Sequence, residues 1–319
     1  MPQFDVTIAG ELNLDLILYG LPARLEPERE LLASDMMIAL GGSSAIVAHN
    51  LALLGTRVGF VSRIGDDAMG QIALERLAAS GTDVSHVRRS TDGTATGLSV
   101  ILARDSWRNI LTYLGTISRL SFQDLDFDYL ASAKHFHLSS FYLQTTLQSR
   151  VPELFRRLKA AGLTISMDTN DDPEDRWQGG LREVLQYVDV FLPNEREALR
   201  ITGAQELERA TMLLAEIVPL VVVKRGAEGA MAQRGASCFK ASPVKVNALD
   251  AVGAGDSFDA GFISQYIQGA DVENCLAYGN LAGALSTTRP GGTEAFRDRR
   301  HREQFFRENG VLPASSSRS

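Results

Sequence analysis

The sequence predicts a doubly wound α/β fold: a mostly parallel sheet with helices on both faces. Short apolar runs alternate with helical patterns along most of the 319 residues. The runs are largely apolar, as suits strands covered on both sides. Two stretches, 12–40 and 94–114, break the alternation with strand-like runs and no helix between them.

The elements are taken in order. Residues 4–9 read as the first strand, and 44–54 as a helix rich in Ala, Ile, Val and Leu. Residues 57–62 follow as a strand, then 68–79 as a helix ending at Gly81. Residues 98–102 and 109–113 flank a polar turn and read as a hairpin, either a small separate sheet or an antiparallel edge of the main one. Trp107 and Arg108 stand in that turn, to close over a ligand or simply to face water. Strands are expected at 135–139, 164–168, 188–192 and 220–225, with a helix over 146–161 ending at Gly162. His135 and His137 share one strand face but have no third ligand at metal-binding spacing, so satisfied buried histidines are expected.

Composition sets limits. The chain is 45% hydrophobic and 22% charged, enough for one large domain, 1–319, with the two irregular stretches inserted in it. A net charge of −7 lacks the basic footprint that nucleic acid needs, so no nucleic-acid partner is expected. No membrane-length apolar run and no secretory pattern are visible, and no membrane partner is expected. Cys238 and Cys275 form no CxxC pair, which fits a reducing cytoplasm. The polar tail 314–319 is expected to fray.

One stretch carries most of the chemistry: Asp250-Ala251-Val252-Gly253-Ala254-Gly255-Asp256-Ser257-Phe258-Asp259-Ala260-Gly261-Phe262. Phe258, Phe262 and Tyr266 recur every four residues, so a helix begins here. Gly253 and Gly255 supply a tight turn before it. Free amides and the helix dipole then favour an anion beside Asp256. A carboxylate there can take a proton from an alcohol attacking a phosphoryl group. A plain strand–turn–helix junction is the alternative.

Other stretches add binding groups. Gly10-Glu11-Leu12-Asn13-Leu14-Asp15 follows the first strand, which places Asn13 and Asp15 at the sheet's ligand-binding edge, or leaves Asp15 as a turn cap. Gly41, Gly42 and Ser43 precede a helix and let a ligand approach the backbone. Asn194 and Glu197 lie one turn apart after a strand, as a capping box, a metal-side pair, or both. Lys224, Arg225, Gly226 and Gly229 form a strand–turn–strand whose cations either neutralise phosphate or are solvated.

These stretches resemble, in order from about Ile8 to Gly292, the motifs of the ribokinase-like carbohydrate kinases, also called the PfkB family. The resemblance implies ATP-dependent phosphorylation of a sugar hydroxyl, with Asp256 as general base and Gly253, Ala254 and Gly255 in the anion hole. It implies Asn13, Asp15, Gly41, Gly42 and Ser43 on the sugar and Asn194, Lys224, Gly226, Gly229 and Asn280 on the nucleotide. Glu197 would hold Mg2+ through water, and Asp250, with the 289–292 loop, matches a monovalent-cation site (K+) of some members. The 12–40 and 94–114 stretches would form a β-sheet lid over the sugar, which in the family often serves as a homodimer interface. Departures stand at Ala251, Val252 and Asp259, where the family often has Asn in the last place. Asp171 and Asp172 follow the family-like Asp168-Thr169-Asn170, where an Arg is common. Ile46 replaces an Asn that commonly binds substrate, so a polar contact is missing unless Asn50, one turn on, supplies it. A nucleoside kinase of the same fold and a non-catalytic sugar-binding regulator are the competing expectations. A dinucleotide enzyme would need GxGxxG after the first strand, and a P-loop kinase needs GxxxxGK[ST]; neither is present.

Overall fold

The computed structural model describes residues 2–22, 24–104 and 107–310. Its strands are β1 (Val6–Ala9), β2 (Asn13–Tyr19), β3 (Asp35–Gly41), β4 (Val58–Ile64), β5 (Asp83–Arg89), β6 (Leu98–Arg104), β7 (Trp107–Tyr113), β8 (His135–Leu138), β9 (Thr164–Met167), β10 (Val190–Phe191), β11 (Leu220–Lys224), β12 (Ala230–Arg234) and β13 (Ser237–Ala241). Nine of them form one sheet in the order β13-β12-β11-β10-β9-β8-β1-β4-β5. Only β12 and β13 run antiparallel to their neighbours. The expected α/β class is therefore present.

Period-2 alternation explains why both faces are covered. Phe136, Leu138, Ile165, Met167, Phe191, Val221 and Val223 pack on one side with Leu154 and Phe155. Val6, Ile8 and Phe60 pack on the other with Val47 and Leu51, and Val190 and Val222 with Phe258 and Phe262. Each such burial stabilises by about 1.5–3 kcal/mol.

The winding locates the site. β1 pairs in parallel with β4 on one side and β8 on the other. The chain winds outward through β4 and β5, then returns across β1 to β8. The reversal leaves a crevice outside the carboxyl ends of β1 and β8.

The two irregular stretches form a separate four-stranded sheet, β3-β2-β6-β7, and not an edge of the main one. Its register sets side chains in rows. Ala39, Asp15, Ser99 and Thr112 make one row, and Met37, Ile17, Ile101 and Ile110 the next on the same face. On the opposite face run Ile38, Leu16, Val100 and Leu111. Asn13 and Asp15 thus sit on a strand of this lid and not in a loop of the main sheet.

One helix differs from expectation. Residues 146–161 are two helices, Thr145–Gln148 and Val151–Ala160. Pro152 lies in the first turn of the second, where its missing N–H costs nothing, so the chain restarts there. The side chain of Trp107 and the tail 314–319 lie outside the described residues. Among the described residues no helix is long and apolar enough to cross a membrane.

His135 and His137 are buried and bound to hydroxyls. His135 contacts Thr164 Oγ1 and Ser166 Oγ at 2.7 Å each, and His137 contacts Ser166 Oγ and Ser139 Oγ at 2.8 Å each. Burial holds both rings below the usual imidazole range. No metal-binding cluster is present among the described residues.

Candidate active site

The site is built on the helix Ala254–Tyr266. Gly253 caps it at φ 69°, a left-handed angle that favours glycine. A Cβ at Gly253 would also stand 2.5 Å from the Gly292 Cα, so nothing larger fits. Gly255 lies inside the first turn and not in the preceding turn as the sequence suggested. Its bare face turns toward Lys224 Nζ, 3.6 Å from where a Cβ would be. Gly255 and Asp256 supply first-turn amides with no intrahelical acceptor, while Ala254 N donates to the Ala251 carbonyl at 3.3 Å.

Asp256 is buried beside those amides, and Asn170 Nδ2 lies 3.4 Å from its Oδ1. Burial and then the Asp168 charge raise its pKa to about 6, against the lowering pull of Lys224 and Ser43. At neutral pH it is mostly ionised, yet still a base of useful strength. Asn170 and Ser140 end β9 and β8 in left-handed conformations, at φ 52° and 53°. They hold each other, with Ser140 N donating to Asn170 Oδ1 at 2.8 Å. Such angles cost about 1–3 kcal/mol in non-glycine residues and cluster at functional sites.

Asn13 and Asp15 line the same cleft as Asp256 from the lid. Asp15 is buried, and desolvation, then the Asp256 charge, raise it to about 7. Asn13 Nδ2 lies 3.5 Å from Asp15 Oδ1, while Asn13 Oδ1 is buried with no partner among the described residues. Gly41 does not line the cleft. A Cβ there would strike Asp15 Oδ1 at 2.2 Å, so this glycine makes room for the two polar side chains. Gly42, Ser43, Ile46, Ser99 and Ile101 do line it.

Glu11 was missed as a site residue. Its carboxylate accepts from Ser44 N (3.0 Å), Ser44 Oγ (2.8 Å) and Ser140 Oγ (2.8 Å), tying the helix Ser43–Leu53 to the end of β8. An acid two residues past the end of the first strand was the available signal. Asn50 does not replace the family amide. Its Nδ2 donates to Ser257 Oγ and the Gly292 carbonyl, each at 3.0 Å, and it lies outside the cleft lining. Ile46 occupies the ground between, its Cδ1 near Gly253 and Gly292.

The nucleotide side continues the same cleft of about 1490 Å³. Asn194 caps the helix Glu195–Thr202 in a full capping box with Glu197. Glu197 accepts from Asn194 N at 2.8 Å and Asn194 Nδ2 at 2.5 Å. Burial pushes its pKa up. Gly226 and Gly229 have φ of 55° and 86° and both line the cleft. A Cβ at Gly229 would meet the Ala241 carbonyl at 2.2 Å. Asn280 lines the cleft, but its amide donates to the carbonyls of Ala241 and Ser242 at 3.2 and 3.0 Å, so it shapes the wall. Lys224 and Asp168 line the cleft, and Lys224 is bound there by Asp168 and Asp259. Asp250 lies outside the lining and accepts from Val252 N, Gly291 N and Tyr19 Oη at 2.9–3.0 Å.

The cleft fits ATP with Mg2+. It offers first-turn amides for phosphate, an open Gly226–Gly229 wall and a buried carboxylate at Glu197 whose remaining lone pairs can hold metal-bound water.

Comparison with known proteins agrees. Residues 3–299 match the family described as pfkB family carbohydrate kinase. A 2-dehydro-3-deoxygluconokinase of Bacillus subtilis (strain 168) is 30% identical over 280 residues, covering 84% of this chain and 86% of the relative. A cytidine kinase of Thermococcus kodakarensis is 29% identical over 281 residues, covering 87% of this chain and 94% of the relative. A protein from E. coli described as ribokinase II, solved with ATP and Mg2+, superposes with a TM-score of 0.83 at 27% identity, covering 96% of this chain and 99% of that one. Fold, cleft and relatives together define an ATP- and Mg2+-dependent kinase acting on a hydroxyl of a sugar or sugar-like compound. The chain belongs to the PfkB family of carbohydrate kinases.

Proposed function

We propose that Asp256 removes the proton from an acceptor hydroxyl held by Asp15 and Asn13, while the amides of Gly253, Ala254, Gly255 and Asp256 stabilise charge on the transferred phosphoryl group. The observation that carries this reading is a convergence. Asp256 and the helix start open onto the same cleft as Asp15 and the unpartnered Asn13 Oδ1. An orphaned buried oxygen costs about 1–3 kcal/mol, which a substrate hydroxyl would recover. Ser43 orients Asp256, and Gly42 gives the acceptor close access to backbone.

Asn194, Gly226, Gly229 and Asn280 frame the nucleotide, and Glu197 holds Mg2+ through water. Bound Mg2+ neutralises triphosphate charge. Exchange of Glu197 for Gln is expected to raise the Mg2+ concentration needed for half-maximal rate; an unchanged titration leaves Glu197 as a helix cap alone. The lid's outer row of Ile38, Leu16, Val100 and Leu111, with Ile38 and Leu111 exposed, suits a homodimer through that face. Two free cysteines and a net charge of −7 suit a cytoplasmic enzyme with no nucleic-acid partner.

A nucleoside is the second acceptor class to test. Ile46, Ile101, Ile110, Leu114 and Ile117 line the cleft beside Asp15 and could seat a base. Measuring ATP turnover over a panel of sugars, sugar acids and nucleosides, with Asp256→Asn as control, decides between them. Turnover with none of them, or undiminished turnover in Asp256→Asn, would overturn the proposal.

A further inference from the structure

Beneath the anion-binding turn lies a charge cluster that the chemistry above does not use. Lys224 Nζ stands 2.6 Å from Asp168 Oδ2, and 3.2 and 3.1 Å from the two oxygens of Asp259. All three side chains are buried. Asp168 goes on to hold Asn170, through its N at 3.1 Å and its Nδ2 at 3.3 Å. Asn170 Nδ2 in turn reaches Asp256 Oδ1 at 3.4 Å. The chain Asp259–Lys224–Asp168–Asn170–Asp256 therefore starts and ends on the first turns of one helix and closes a loop through the ends of β11 and β9.

An ammonium has three donors. Asp168 and Asp259 engage that of Lys224 in the ligand-free protein although it lines the cleft, so a phosphate would have to compete with two buried carboxylates. Burial alone would lower the pKa of Lys224, but Asp168 and then Asp259 reverse this and raise it. Lys224 is thus a fixed cation in the ground state. Its partner Asp259 stands where the sequence departs from the resembled family.

We propose that Lys224 and Asp259 are positioning residues, which through Asp168 and Asn170 set the orientation and charge of Asp256, and that Lys224 is not a nucleotide ligand. The inference rests on the reading of Asp256 as the base. The charged groups acting on Asp256 are Asp168 from β9's end, Glu11 from β1's end, Asp15 from the lid, Asp259 from its own helix and Lys224 from β11. Removing the cation leaves carboxylates only, so Asp256 binds its proton more tightly and titrates at higher pH. Removing the Asp259 charge does the opposite.

The test is a ¹³C NMR titration of aspartate carboxyls in the ligand-free protein, with Asp256 assigned from its loss in Asp256→Asn. Lys224→Met should move the Asp256 titration up by about one pH unit or more, and Asp259→Asn should move it down. The acid limb of kcat should shift the same way in each variant, with Kd for ATP·Mg2+ changed less than about threefold. A tenfold or greater loss of ATP affinity in Lys224→Met, with the Asp256 titration unmoved, would make Lys224 a phosphate ligand and sink the proposal. Lower Tm in both variants with neither titration moved would make the cluster merely structural, and would sink it equally. Should Lys224→Met fail to fold, Asp259→Asn carries the test, since Asn keeps the shape and leaves Lys224 paired with Asp168. Undiminished turnover in Asp256→Asn would refute the base assignment, while the titrations still judge the network.

Discussion

At the scale of single residues, Asp15 and Asp256 are two of several buried carboxyls whose raised pKa bears on behaviour with pH. In the proposed reaction Asp256 must be ionised to accept a proton, and burial and the Asp168 charge raise its pKa to about 6. The rate constant kcat/KM is therefore expected to fall below about pH 6, and Asp256→Asn to lose about 10²–10⁴ of kcat at neutral pH while ATP still binds. Steady-state kinetics across pH, with ATP affinity measured separately, checks both. Asp15 and Asp256 also affect stability. Their folded pKa values of about 7 and 6 exceed the ordinary 3.8, so the folded state holds more protons than the unfolded one between about pH 4 and 7. Stability of the ligand-free protein from these groups is then greatest below that window and falls as pH rises through it. Asp15→Asn removes one such ionisation. It should raise Tm at pH 7.5 and by much less at pH 5, while raising KM for the acceptor more than about tenfold. Thermal melts at the two pH values give the answer, and an equal Tm shift at both would contradict the assigned cause.

At the scale of elements, the helix bearing Asp256 is held by close approach. It lies against the helix Val272–Thr287, where Gly261 meets Gly279. A Cβ on Gly261 would stand 2.6 Å from Ala282 Cβ, 2.7 Å from the Tyr278 carbonyl and 3.1 Å from Gly279 Cα. Backbone cannot yield as a flexible side chain can, so Gly261→Ala should destabilise by about 1–3 kcal/mol. Urea unfolding measures this, and an unchanged midpoint would mean the helices part at no cost. Much of this level was legible in the sequence. The four-residue recurrence of Phe258, Phe262 and Tyr266 marks a helix, and the 98–102 and 109–113 runs pair as expected, Leu98 opposite Tyr113. What escaped was long-range pairing. Lys224 finds Asp168 across 56 positions, and Glu11 finds Ser140 across 129. Neither partner is implied by local periodicity, and Asn50, one turn from Ile46, is claimed by Ser257, 207 positions away. Residue types told which groups could do chemistry; only the winding told which of them meet.

At the scale of the whole molecule, the lid's two faces have different tasks. One face lines the cleft through Asp15, Ser99, Ile101, Ile110 and Thr112. The other exposes Met36, Ile38 and Leu111. Leu111→Asp places a charge on that second face and should convert a homodimer to monomer, read as a halved mass by light scattering coupled to gel filtration. A wild-type monomer would refute the dimer directly. The inner face has a further bearing on selectivity. Asp15 rides on the lid, whereas Asp256 is anchored to the main body, and the chain passes from β1 to β2 through only Gly10, Glu11 and Leu12. The span between Asp15 and Asp256, the hydroxyl holder and base of the proposed reaction, is consequently set by how the lid sits on the main body and not by either side alone. In the proposed reaction the two carboxylates act as the jaws of a calliper, and an acceptor is gauged by its length between them.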